Sequence, residues 1–219
     1  MIAIAAMSKN RVIGKGGSIP WRIPDEFKWF RRMTFNGVVI MGRKTFESLP
    51  APLVGRVNIV LSRHPAKLLG NENRRECYRK ACVGTAAHDL QGVVQLSFPQ
   101  TPRTEVRLVR GIDSLKRAGV ARNAWLCGGV QVYEQYLAEC SELLLSVINR
   151  EVEGDAVFPA FEHLFDYAGV VAEFTEFRVL RYTRKVDSVR CGAKMAAIPH
   201  DDIHASLPLA CIVRGADGL

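Results

Sequence analysis

Apolar residues in this chain come in short runs separated by glycines, prolines and charges. Residues 2–7, 37–41, 56–61, 123–127 and 143–148 are such runs. At four to seven residues between polar boundaries, they read as buried strands. Helical spacing fills the intervals. Pro24 suits a first helical turn, and Glu26, Phe30 and Met33 then fall on one stripe of a helix ending near residue 35. A short helix runs from the turn after 37–41 through Ser48, and another rests on Val130, Tyr133, Tyr136 and Leu137. Strands alternating with helices predict an α/β fold: a mixed, mainly parallel central sheet flanked by helices. Helical spacing runs out after residue 148, so antiparallel strands are expected there, one of them over 170–177.

Three stretches break the pattern. Residues 10–18 form a glycine-rich loop expected to be mobile. Residues 64–123 mix Arg74-Arg75 with proline-containing stretches and hold no period, which predicts loops, short strands and an extended or inserted region. The tail, 184–219, contains an apolar run at 207–213 that could be the last strand of the sheet, with Pro208 favouring an edge. We read the 219 residues as a single domain carrying both extensions.

Composition narrows the class. The chain is 48% apolar and 24% charged, ordinary for a soluble globular protein. No apolar run reaches the 18 or so residues needed to span a bilayer, and the apolar start meets Lys9 and Arg11 too early for a signal peptide. Six cysteines without CxxC spacing suit a reduced, cytoplasmic protein. The net charge of +8 divides into +7 over residues 1–62, +7 over 63–123 and −6 over 124–219. These charges are scattered, with no dense basic block or stacking motif, which argues against nucleic acid. His64, His88, His163, His200 and His204 show no ligand spacing, so no metal site is expected. No nucleophile elbow occurs either.

In sheets of this kind, ligands bind beyond the carboxyl ends of the parallel strands. That edge would gather Ala5-Ala6, Gly42-Arg43-Lys44-Thr45, Ser62-Arg63 and Gly128-Gly129. The second and third turns each combine cations with a hydroxyl, which suits one ligand with separated phosphates. A solvated basic turn would look the same. The glycine pair allows close approach to the backbone, or simply a tight turn. Arg56, beside Leu49 and Leu53, suits bidentate capture of a carboxylate, or an edge-strand surface charge. Glu26 shares a stripe with Phe30. A carboxylate so placed neutralises, pairs or does chemistry, unless, like Asp25, it only complements the helix dipole.

Together these motifs resemble the dihydrofolate reductase family. The resemblance is carried by Pro20-Trp21, Pro24, Glu26 and Trp29-Phe30, and by the run from Val39 through Gly42-Arg43-Lys44-Thr45-Phe46-Glu47-Ser48. It continues through Gly55-Arg56, Asn58-Ile59-Val60-Leu61-Ser62-Arg63, Gly128-Gly129, Val132-Tyr133, Glu153-Gly154-Asp155 and Phe158-Pro159. It covers about residues 1–62 and 124–177, in family order.

The resemblance implies reduction of 7,8-dihydrofolate to tetrahydrofolate with NADPH, in one-carbon metabolism. Glu26 would be the catalytic carboxylate, holding pterin N3 and the 2-amino group and supporting protonation of N5. Ile4, Ala5, Phe27, Phe30, Leu49, Leu53, Cys127 and Tyr133 would wall the substrate pocket, with Ser146 near Glu26 and Arg56 on the tail's α-carboxylate. Gly42, Arg43, Lys44, Thr45, Ser62 and Arg63 would take the cofactor's phosphates. Ala6, Ile13, Gly14, Gly17, Ser18, Cys127, Gly128, Gly129, Val130, Gln131, Val132 and Tyr133 would line the rest of the cofactor site. A cis bond is implied between the two glycines. The loop ending near Ile19 would be a lid that excludes water. The family suggests a monomer whose ligands are small molecules, without nucleic acid or membrane. The alternatives are the riboflavin-pathway reductase of the same fold, acting on a phosphorylated aminopyrimidine, and a catalytically silent basic binding protein.

Overall fold

The computed structural model describes residues 1–63, 89–90, 93–98, 104–117 and 119–185. The run at 207–213 and the Arg74-Arg75 pair lie outside them. Residues 1–185 form one compact unit.

Twelve strands are assigned among the described residues. They are β1 (Ile2–Ser8), β2 (Val12–Gly14), β3 (Val38–Gly42), β4 (Val57–Leu61), β5 (Asp89–Leu90), β6 (Val93–Phe98), β7 (Thr104–Val109), β8 (Ala124–Leu126), β9 (Glu142–Ile148), β10 (Ala156–Val157), β11 (Phe165–Glu173) and β12 (Phe177–Arg184). The helices are α1 (Pro24–Thr34), α2 (Arg43–Ser48), α3 (Asp113–Arg117) and α4 (Val130–Tyr136). Ten strands make one sheet in the order β11-β12-β9-β1-β8-β3-β4-β7-β6-β5. The six from β9 to β7 run parallel, and β12, β11, β6 and β5 add antiparallel at the two sides.

The strand sequences explain this arrangement. All five residues of β4 are buried, as befits a parallel strand covered on both faces. Burial in β12 begins by alternating, with Phe177 and Val179 buried and Arg178 exposed. The apolar interior divides about the sheet. One cluster gathers Ile40, Ile59, Leu126, Leu143 and Tyr133, and another Val39, Met41, Phe46, Val60 and Val106. Among the described residues no helix is long and apolar enough to cross a membrane.

One expectation needs correction. The strand expected over 170–177 is instead the end of β11, a turn and the first residue of β12. Phe174 and Phe177 stack at 4.3 Å across that turn, so an apolar run that looks continuous is folded on itself. The region 64–123 supplies β5, β6, β7 and α3, with β6 covering the edge of β7 that faces away from β4.

Candidate active site

The parallel strands deliver their carboxyl ends to one edge, where the sequence places its ligand-suited turns. Ala6 is in register with Ser146 on β9, and Gly42 with Leu61, the residue before Ser62. Gly42 N–H donates to the Gly128 carbonyl at 2.7 Å, so the turn entering α2 and the turn entering α4 touch. The peptide between Gly128 and Gly129 is cis.

Glu26 lies on the buried stripe of α1 and is 6% exposed. Burial pushes its carboxyl up to about 7, while a hydrogen bond from the Ser146 hydroxyl pulls the other way. Leu49, Leu53 and Cys127 pack on one cluster, and burial pushes the Cys127 thiol up to about 12. Cys127 is therefore a neutral wall rather than a nucleophile. Tyr133 donates its hydroxyl to the Ile4 carbonyl at 2.7 Å, fixing α4 against β1. Phe30 is partly buried, whereas Phe27, one residue after Glu26, is 42% exposed.

Arg56 stands just before β4 and is only 5% exposed. Its Nε donates to the Val54 carbonyl at 3.1 Å and its Nη1 to the Thr34 hydroxyl at 3.0 Å. The guanidinium lies 5.9 Å from the centroid of the Phe30 ring. No carboxylate pairs with it among the described residues. Burial, then the nearby Arg31 cation, lowers its pKa. A buried cation without a paired acid is costly, which marks Arg56 as a candidate for an anionic ligand.

The cofactor-suited turns are more open. Arg43 is paired with Glu47 one helical turn on, at 2.7 Å, while Lys44 and Arg63 are exposed and unpaired among the described residues. Thr45 is partly buried and Ser62 buried. A Cβ on Gly128 would stand 2.5 Å from the Tyr133 ring, and one on Gly129 3.0 Å from the Thr45 hydroxyl. Gly128 also has φ +86. The N–H groups of Val132 and Tyr133 are both taken by the Gly129 carbonyl, and both side chains are buried. Val130 is partly buried and Gln131 exposed.

The glycine-rich loop, 10–18, is tied down. Ile13 packs on the main core, and β2 pairs with β10. Gly16 N–H donates to Asp155 Oδ2 at 3.0 Å, and Lys15 bridges Glu153 at 2.8 Å. A Cβ on Gly154 would run into the Val12 side chain and the Gly14 carbonyl, which gives this motif glycine its reason. Gly17, Ser18 and Ile19 remain exposed.

Several residues that build the candidate site escape sequence reading. Thr34 lies two turns from Glu26 on the same stripe, a visible signal, and it holds Arg56. Asn58 is fully buried and braces the turn before β4, donating to the carbonyls of Leu53, Arg56 and Glu105. A lone Asn in an apolar strand is the clue. Arg110-Gly111 ends β7 beside Ser62, whose N–H donates to the Val109 carbonyl at 3.0 Å. No period in that region points to it.

Known proteins resemble this chain in sequence and in fold. The dihydrofolate reductase family model matches residues 1–86 and 93–176. The chain is 33% identical over 175 residues to the dihydrofolate reductase of Haemophilus influenzae, spanning 80% of this chain and 86% of that one. It is 37% identical over 160 residues to that of Neisseria meningitidis, spanning 73% and 78%. Among solved structures it resembles dihydrofolate reductase from Enterococcus faecalis complexed with NADP(H) and RAB-propyl, with TM-score 0.59. That match is 22% identical and covers 84% of this chain and 96% of the other, a likeness of fold.

Proposed function

The chain belongs to the dihydrofolate reductase family, and from that premise we propose that Glu26 and Arg56 mark the two ends of its dihydrofolate site. The family's activity is NADPH-dependent reduction of 7,8-dihydrofolate to tetrahydrofolate, a step of one-carbon metabolism. What carries the assignment is a pair of buried ionisable groups of opposite sign, neither bonded to a protein charge among the described residues. A pterin presents N3–H and a 2-amino group to a carboxylate, and its glutamate tail presents a carboxylate to a guanidinium.

Glu26 orients the ring by accepting those two donors. With a pKa near neutrality, the carboxylate that accepts them can also take up a proton from solvent and pass it toward N5. The Ser146 hydroxyl fixes the carboxyl, and its burial keeps its field strong, with Leu49, Leu53, Phe30 and Cys127 as the proposed walls of the pterin pocket. Arg56, preset by Thr34 and Val54, holds the tail's α-carboxylate.

The residues at the other turns fit NADPH, since only glycine leaves room at 128 and 129, and cations and hydroxyls surround the turns. Lys44, Thr45, Ser62 and Arg63 would hold its phosphates, with Arg43 shared with Glu47. Gly128 and Gly129, with Ala6, Ile13 and Gly14, would border the nicotinamide half. When bound, this cofactor supplies the hydride. The loop from Gly14 to Ile19 excludes water over it, backed by Glu153 and Asp155. We further read the protein as a cytoplasmic monomer, with Cys127 and Cys140 as unpaired thiols.

The test is loss of NADPH absorbance with 7,8-dihydrofolate as acceptor, run beside a phosphorylated aminopyrimidine. Oxidation with the pterin alone is the expected result. Oxidation with the pyrimidine alone would assign the chain to the riboflavin-pathway chemistry instead.

A further inference from the structure

Arg11 stands at the root of the glycine-rich loop, one residue before β2, and the site described above gives it no task. Its backbone is left-handed, with φ 64, a conformation that residues with long side chains rarely adopt. Its contacts converge on one short segment of the β10–β11 connection. The Arg11 carbonyl accepts the Phe158 N–H at 2.8 Å. The guanidinium reaches the same segment: Nη2 donates to the Pro159 carbonyl at 2.7 Å, Nη1 to Glu162 Oε1 at 2.6 Å and Nε, more loosely, to the Phe158 carbonyl at 3.4 Å. Its carbon also lies 5.3 Å from the centroid of the Phe161 ring. Glu162 is itself fixed, its other oxygen accepting the Phe161 N–H at 2.9 Å.

An ion pair with Glu162, which is 59% exposed, explains only one of these contacts, and such pairs contribute little. It needs neither a left-handed backbone nor two carbonyls. Backbone strain of this kind persists where the surroundings over-determine it. Here they tie the loop root to a line of rings. Phe161 meets Phe158 edge-on at 5.7 Å, Phe158 meets Tyr133 at 4.8 Å, and all three are buried. The Tyr133 ring is the surface that crowds any Cβ at Gly128. On the loop side, Ile13 follows Arg11 by two residues and packs on the core that holds these rings. Arg11 thus joins the two sides of the proposed nicotinamide seat, the loop at Ile13 and Gly14 and the turn at Gly128-Gly129. We propose that Arg11 is a positioning residue for the hydride donor. Its planar fork clamps the loop root to the Phe158–Glu162 segment and so sets the spacing between loop and glycine pair, acting through Phe158 and Tyr133. This rests on the nicotinamide placement proposed above and adds to it a residue outside the pocket.

Two probes separate the parts: NADPH, and adenosine 2′,5′-diphosphate, which keeps the 2′-phosphate and adenosine but has no nicotinamide. Dissociation constants come from titration calorimetry. The hydride step comes from single-turnover loss of NADPH absorbance, repeated with NADPH deuterated at the transferred position. In Arg11→Gln, hydride transfer should slow about tenfold and show the isotope effect, as a small misplacement of the reacting carbons would cause. NADPH should bind several-fold more weakly, and the adenosine diphosphate as in wild type. Arg11→Lys, which keeps the charge but not the planar fork, should show the same split. A lower melting temperature with hydride transfer unchanged would make Arg11 a structural residue. Equal weakening of both probes, or full rescue by Arg11→Lys, would likewise overturn the inference. Equal binding of the two probes by wild type would instead sink the nicotinamide placement on which it rests.

Discussion

The two ends of the cleft are built on opposite electrostatic plans. At the proposed folate end, the charges are inside: Glu26 and Arg56 are 6% and 5% exposed, each set by one or two neutral hydrogen bonds. At the proposed cofactor end, Arg43, Lys44 and Arg63 stand in solvent, and glycines do the shaping. The folate plan suits a ligand needing few, orientation-strict contacts, since a buried charge without its partner is expensive. The cofactor plan suits a polyanion, for which many weak, screened contacts add up.

The contrast breaks most visibly at Arg56. Arg56→Gln should raise KM for dihydrofolate about 100-fold, the order expected when one member of a buried charge pair is removed. Its melting temperature should stay level or rise, because the native cation has no acid to lose among the described residues. A large loss of stability with unchanged KM would make Arg56 a structural residue. Smaller effects belong to the other end. Lys44→Gln and Arg63→Gln should each weaken NADPH binding about fivefold at low salt, with the difference fading as salt is raised. Titration calorimetry at two ionic strengths checks this, and a salt-independent loss would move these cations into the buried class.

The fold was readable where burial imposes a period. The runs at 2–7, 37–41, 56–61, 123–127 and 143–148 became strands because a parallel strand covered on both faces must be apolar throughout. Glu26 and Arg56 were readable for the same reason, as charges set among apolar residues. The C-terminal hairpin was misread because β11 is an edge strand with Tyr167, Val170 and Val171 half in solvent, so burial fixes no boundary there. Thr34 and Asn58 went unassigned because their roles lie in which carbonyl or guanidinium they meet, a tertiary fact. The Arg43–Glu47 pair sits at a visible i,i+4 spacing, yet the sequence alone does not show that it competes for a phosphate-suited cation.

Glu26 ties structure to pH. Its value of about 7 exceeds the 4.5 of an exposed glutamate, so the folded protein keeps a proton that the unfolded chain releases. Wild-type stability should therefore fall as pH rises from 4.5 to about 7. Glu26→Gln should lack that fall. The most direct measurement is kcat/KM for dihydrofolate against pH, for wild type and Glu26→Gln. The wild-type profile should decline above an inflection near 7, where the carboxyl gives up its proton. Glu26→Gln should sit about 100-fold lower at neutral pH, with no inflection there. A variant that keeps both the wild-type rate and the inflection would contradict the claim that Glu26 is the acid of this site.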